Sequence, residues 1–340
     1  MTDRKLGRRE ALRITAVVGV SVAFGGGFVA DLFRRAGLQR VSETRLRMGT
    51  VVTITVVHPE AEAARHLVAA SFAEIERLDG LLSRHRSDTP LARLNRTGRL
   101  DAPPSELLDV LVRAQECSRR TDGAFDVTVA PLLQLYERSF ADGGVAPTRG
   151  EVEVARTLVD HRALRVGEDA IVLADPGMSV TLDGIAKGYI VDRTIAVLVR
   201  GGAERVMVNA GGDVATAGSG SERDPWTIGI QDPHDPTDYV GLVRLGGECI
   251  ATSGDYIGSF TEDRSHHHII DPRTGRSPTQ ASSVSVVAAS AMEADALSTA
   301  VLVLGPEAGI AKLEEIPGVE GVIVAKDATR VRTSGLDLYA

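Results

Sequence analysis

Gly211-Gly212 lies inside "RVMVNAGGDVATAG", and the strand-like run directly after that pair constrains the fold more than any other stretch of the chain. In a doubly wound dinucleotide-binding fold the glycine turn must open into a helix, whose N-terminus receives the phosphates. Here the pattern reads strand, glycine turn, strand, so that architecture is excluded. Strand-like runs recur in "LRMGTVVTITVVH", "WTIGIQDP", "YVGLVRLGGECIATSG", "HHHIIDP" and "SSVSVVAAS". Runs of strands with interspersed helices predict an α+β fold rather than a regular βαβ alternation. No internal repeat competes with that reading.

Helices are marked by apolar spacing and by their ends. "AEAARHLVAASFAEIERLDGLLS" and "PSELLDVLVRAQECSRRTDGAF" are amphipathic, the second stopping near Gly123. "VARTLVDHRALRVGEDAIVLADPGMSVTLDG" predicts a short helix and then strands, with "ADPG" as a hairpin turn. "DGIAKG" leads into a helix ended by Gly201-Gly202. In "SAMEADALSTAVLVLG", Ser290 and Glu293 have capping-box spacing and Gly305-Pro306 is a stop.

The first residues differ from the rest. A basic "MTDRKLGRREALR" precedes an uncharged apolar run from Ile14 to Ala30, a signal-peptide layout with a twin-arginine-like Arg8-Arg9. Residues 1–40 are therefore set apart as an export signal or N-terminal membrane anchor, and 41–340 as the folded domain. That placement predicts an exported protein, periplasmic or in the cell envelope. A formal net charge of -8 excludes a basic nucleic-acid face. With Cys117 and Cys249 alone, neither a disulfide framework nor a cysteine zinc site can be built, and a single disulfide stays open.

Several segments carry candidate chemistry. Asp295 and Thr299 are i and i+4 on one helix face, with Ser298 at i+3. A carboxylate and a hydroxyl one turn apart suit a hard cation such as Mg²⁺; the alternative is a hydroxyl bonded back to its own helix. Lys187, at the start of a helix after a tight turn, suits a diphosphate, or is a solvated lysine. In "SHHHIIDPRTG", an extended backbone puts His266 and His268 on one side. Zinc would need further spaced ligands, whereas a histidine proton acceptor needs none. Phe125 beside Asp126 suits a flat heterocycle, or is a core phenylalanine.

Taken in order, "MGTVVTITV", "TDGAFDVTVAPL", "TLDGIAKGYIVD", "VNAGGDV", "IATSGDY", "HHIIDPRTG" and "ADALSTAVLVLG" resemble the ApbE family of FAD:protein FMN transferases. The resemblance implies a T-fold-like α+β architecture of two subdomains with FAD and Mg²⁺ in the cleft between them. It implies transfer of FMN from FAD to a threonine or serine of a target protein through a phosphoester, with AMP leaving. Asp295, Thr299 and the Gly184 carbonyl would hold the metal. Met48, His85, Ala124, Phe125, Asp126, Thr181, Lys187 and Ile269 would line the FAD site, and His268 would be catalytic. Three positions depart from the family pattern: Thr181 stands where aspartate is common, Asp183 where glycine is frequent, and His85 where an aromatic packs on the cofactor. An exported member of this kind resembles the NosX branch, so the target would be a membrane-associated electron-transfer subunit. The alternatives on the same fold are a metal-dependent FAD pyrophosphatase and a non-catalytic flavin-binding accessory protein.

Overall fold

The computed structural model describes residues 20–22, 38–218 and 224–338, so most of the proposed export segment lies outside the described residues. Its centre is an eight-stranded sheet, antiparallel throughout. The strands are β2 (Gln39–Arg47), β3 (Thr50–His58), β7 (Arg205–Ala210), β8 (Asp213–Ala217), β11 (Cys249–Gly254), β12 (Ala281–Ala288), β13 (Glu320–Ala325) and β14 (Arg330–Arg332). Their order is β14-β13-β12-β11-β8-β7-β3-β2. Two smaller sheets complete the fold: β1 (Val20–Val22) with β9 (Trp226–Gln231) and β10 (Tyr239–Leu245), and β4 (Arg99–Asp101) with β5 (Leu164–Val166) and β6 (Ala170–Leu173).

Both faces of the large sheet are covered, which is why its central strands read as continuous apolar runs. In β7, Val206 and Val208 point into a core shared with the helices, while Met207 packs with Trp226, Ile228 and Val243 of the β9–β10 sheet. The helical face carries α1 (Ala61–Leu82), α6 (Ala186–Arg200) and α7 (Ala291–Leu304). The remaining helices are α2 (Pro90–Thr97), α3 (Ser105–Arg120), α4 (Ala130–Gly143), α5 (Arg149–Arg156) and α8 (Pro306–Glu314).

The α+β expectation holds, with local corrections. Leu46–His58 is not one strand: it breaks at Met48-Gly49, whose φ values of 51° and 71° make the two-residue hairpin turn pairing Arg47 with Thr50. Such turns need φ > 0 at both central residues, which glycine supplies freely and Met48 adopts under the pull of the flanking register. "ADPG" is not the hairpin turn either; β5 and β6 are joined through Gly167–Asp169, and "ADPG" leads out of β6. "HHHIIDP" is irregular apart from isolated bridges at His267 and Asp271. Helices α2, α4 and α8 and strands β4, β13 and β14 are additions to the sequence reading. Cys117 and Cys249 are free, buried thiols on α3 and β11.

Candidate active site

Helix α7 starts where expected. The Ser290 side chain accepts from the Glu293 N–H at 3.2 Å. The reciprocal half of the capping box is absent, because the Glu293 carboxylate binds Arg120 at 2.9 Å instead. The N-terminus of α7 is satisfied from α6: Asp192 accepts from the Ala291 and Met292 N–H groups at 2.8 and 3.0 Å. The two helices cross at Gly188, where a Cβ would stand 2.3 Å from the Ala291 carbonyl oxygen. That close approach lets the Gly188 N–H donate to Asp295 Oδ2 at 3.0 Å.

Ala124, Phe125, Asp126, Thr181, Gly184, Lys187, His268, Ile269, Asp295 and Thr299 line one cavity of about 260 Å³. Met48 and His85 line an adjoining cavity of about 480 Å³, and Gly49, Asp183 and Lys187 border both. The fold thus brings ten of the twelve predicted residues into one place and sets the other two next door. The sides of the main cavity come from the loop before α4, the loop before α6, the start of α7, the end of β11 and the irregular segment after it.

Sequence reasoning missed Asp213. It opens β8 directly after the glycine pair, and Gly211 is required there because its φ is +61° and a Cβ would collide with Thr50. Asp213 is buried, with Oδ1 3.0 Å from Lys187 Nζ in an ion pair whose angle falls short of a hydrogen bond. Neither of its carboxylate oxygens has a hydrogen-bond donor among the described residues. Burial pushes the pKa of Asp295 well above the carboxylate range, and the Asp213 charge adds to it. Asp213 itself is raised by burial, with Lys187 pulling the other way. Burial works against the Lys187 charge, yet Asp213 and Asp295 outweigh it and raise its pKa. The signal available in sequence was an aspartate in an otherwise small and apolar strand.

With one lysine between two buried carboxylates, burial and mutual repulsion disfavour ionising both, and a bound cation would offset that cost. The donors at hand are oxygens: Asp295, Thr299, and the backbone of Gly184, whose Cβ position would lie 2.9 Å from Thr299 Oγ1. Oxygen donors in a small number, with room left for waters and phosphates, fit Mg²⁺.

The three histidines diverge. His266 packs against Phe140, with ring centroids 5.6 Å apart, and its Nδ1 contacts Ser265. His267 is buried, its Nε2 2.9 Å from the Pro278 carbonyl and its N–H given to Ser277 Oγ. His268 alone of the three reaches the cavity; burial, helped by His267, pushes its pKa down to about 4, so the ring is neutral at pH 7. The extended-strand expectation for His266 and His268 therefore fails, because the segment bends to put His267 inside.

Asp126 borders the cavity with its carboxylate already engaged, accepting from Thr128 N–H and Oγ1 at 2.8 and 2.6 Å and from the His161 N–H at 2.9 Å. It shapes the Phe125 loop. Asp183, at one of the departures from the family pattern, binds Arg84 Nε at 2.6 Å, and Arg84 also binds Glu137 at 2.7 Å. His85 Nε2 stands 3.7 Å from Asp183. Burial opposes the Asp183 charge, but His85 and Arg84 hold its pKa below the usual range. Asp183 thus sits between two basic groups, Arg84 the closer and His85 the more distant.

The ApbE family model matches residues 48–323. The chain belongs to the ApbE family. The FAD:protein FMN transferase of Treponema pallidum is 32% identical over 339 residues, spanning 93% of this chain and 92% of that protein. The FAD:protein FMN transferase of Salmonella typhimurium is 31% identical, over 82% of this chain and 81% of the relative. Among solved structures, the ApbE protein of Thermotoga maritima superposes with a TM-score of 0.80 at 28% identity, covering 87% of this chain and 97% of that one. The flavin transferase ApbE of Vibrio cholerae gives 0.76 at 30%, covering 87% and 98%. Family membership thus agrees with the α+β fold.

Proposed function

We propose that this chain is a FAD:protein FMN transferase that moves the FMN half of FAD onto a threonine or serine hydroxyl of a target protein. The observation that carries the reading is the meeting of Asp295, Thr299, Gly184, Lys187 and His268 around one cavity in a chain of this family. In the transfer, the target hydroxyl oxygen bonds to the FMN phosphorus, the pyrophosphate P–O bond to AMP breaks, and AMP leaves with the bridging oxygen.

Phosphoryl transfer asks mainly for positioning and charge neutralisation. Mg²⁺ held by Asp295, Thr299 and the Gly184 carbonyl would supply charge that neutralises the phosphate oxygens. Lys187, kept cationic by its two carboxylate neighbours, faces the same anions. His268 is neutral at working pH and takes the hydroxyl proton, since threonine alone is a poor nucleophile. Phe125 and Ile269 offer apolar surface, and the adjoining cavity at Met48 and His85 gives a long dinucleotide a second compartment. His85, paired with Asp183, would stack there in place of an aromatic residue.

The same reading takes residues 1–40 as an export signal or anchor and the target as a membrane-associated electron-transfer subunit. Incubation with FAD, Mg²⁺ and a candidate target, followed by mass analysis, should find one FMN added to a threonine or serine peptide, and AMP in equal amount. AMP released at full rate without any target would make the chain a pyrophosphatase and sink the proposal.

A further inference from the structure

Ser298, buried and turned away from the cavity, is the one polar group of the α7 motif that the proposed reaction leaves unused. Its Oγ donates to the Asp295 carbonyl oxygen at 2.9 Å, a bond back to its own helix. A hydroxyl carries a single hydrogen and two lone pairs. With that hydrogen committed, Ser298 Oγ can only accept in its 2.7 Å contact with Ser253 Oγ, so Ser253 is the donor there. The Ser253 hydrogen is spent in turn, and the 3.2 Å contact between Ser253 Oγ and Thr299 Oγ1 must have Thr299 donating.

We propose that Ser298 and Ser253 are positioning residues that fix the direction of the Thr299 hydroxyl: a relay anchored on the Asp295 carbonyl draws its hydrogen away from the cation site and leaves its lone pairs facing it. This rests on Asp295 and Thr299 being the metal ligands of the proposed transferase. Without the relay the Thr299 hydrogen is free to turn toward the site, where a cation repels it. The packing supports the arrangement. Ser253 comes from β11, against which α7 lies, and the neighbouring Thr252 points to the opposite face, bonding Ser285 at 2.7 Å. Strand alternation therefore delivers Ser253 to the helix.

The test uses the full chain with Mn²⁺ as the probe, its free concentration read from the spectrum of the aquo ion, and melting in EDTA as a separate check of folding. S298A and S253A should each raise the Mn²⁺ dissociation constant about three- to tenfold, the range expected for one directed hydrogen bond, while melting as the wild type does within a few degrees. In a T299V background, S298A should have no further effect on Mn²⁺ binding, because the hydroxyl that the relay orients is gone. A purely structural serine would instead weaken binding equally in both backgrounds, and that result overturns the proposal. D295A separates the two levels. If D295A abolishes Mn²⁺ binding and S298A and S253A leave it unchanged, the relay is wrong and the metal site stands. If D295A leaves binding intact, the metal reading falls and the relay with it.

Discussion

Replacing Gly188 with alanine tests whether the crossing of α6 and α7 sets the site. A Cβ at Gly188 would stand 2.3 Å from the Ala291 carbonyl oxygen, 2.6 Å from its carbon and 2.7 Å from Met292 Cα. These are backbone atoms, so no side chain can swing aside, and ordinary contact begins near 3.4 Å. The helices must separate by about 1 Å, and overpacking of this kind costs about 1–3 kcal/mol. For a domain of about 300 residues each kcal/mol lowers the melting temperature by about 1.5–2 °C, so a fall of about 2–6 °C is expected. The same separation lengthens the Gly188 N–H to Asp295 Oδ2 bond from 3.0 Å and pulls Ala291 and Met292 off Asp192. Weaker metal dependence should therefore accompany the loss of stability, read as a higher Mg²⁺ concentration for half-maximal transfer at about 20 °C, below the lowered melting range. A G188A protein that melts with the wild type and keeps its Mg²⁺ requirement would show that the two helices do not constrain one another as drawn.

The site's own residues carry further tests. H268A should lower the transfer rate about 10²–10⁴-fold while FAD still binds, measured by turnover beside flavin fluorescence. Because the folded His268 pKa lies near 4 and the unfolded value near 6.5, the unfolded chain binds more protons between those limits. His268 therefore subtracts stability as pH falls through that window, so H268Q should flatten the melting temperature against pH there and leave it unchanged at about pH 8. D213N removes the Lys187 counter-charge and should weaken the requirement for a divalent cation, seen as a shallower Mg²⁺ titration; an unaltered titration would exclude Asp213 from the site's charge balance. T89A removes the hydroxyl that accepts from the Ala92 N–H at 3.0 Å at the start of α2 and should cost about 1 kcal/mol in chemical denaturation, with transfer unchanged.

The segments legible in sequence are those whose signals are local. Apolar spacing and end residues gave α1, α3, α6 and α7 nearly to the residue, and Asp295 and Thr299 share a face because any helix puts i and i+4 together. The α+β class came from runs of strands with interspersed helices, and the strand after Gly211-Gly212 excluded the doubly wound alternative. Where the deciding contact is distant in sequence, the reading failed. "HHHIIDP" has strand composition, yet it leaves the sheet because His267 is taken by Pro278 and Ser277. Asp213 went unread in the sequence; only the packing of α6 over β8 sets it against Lys187 and makes it part of a charge cluster.

The sequence by itself determined the kind of chemistry available, since oxygen donors, a lysine and a histidine are fixed by residue identity and some by helical spacing. Tertiary structure decided which of them count. It brought His268, and neither neighbouring histidine, to the cavity, engaged the Asp126 carboxylate within its own loop at the cavity wall, set Met48 and His85 in a neighbouring compartment, and joined Ser298 to Thr299 through a serine on another element. The physical reason is that burial and the direction of hydrogen bonds depend on neighbours brought from far along the chain, and no local pattern encodes them.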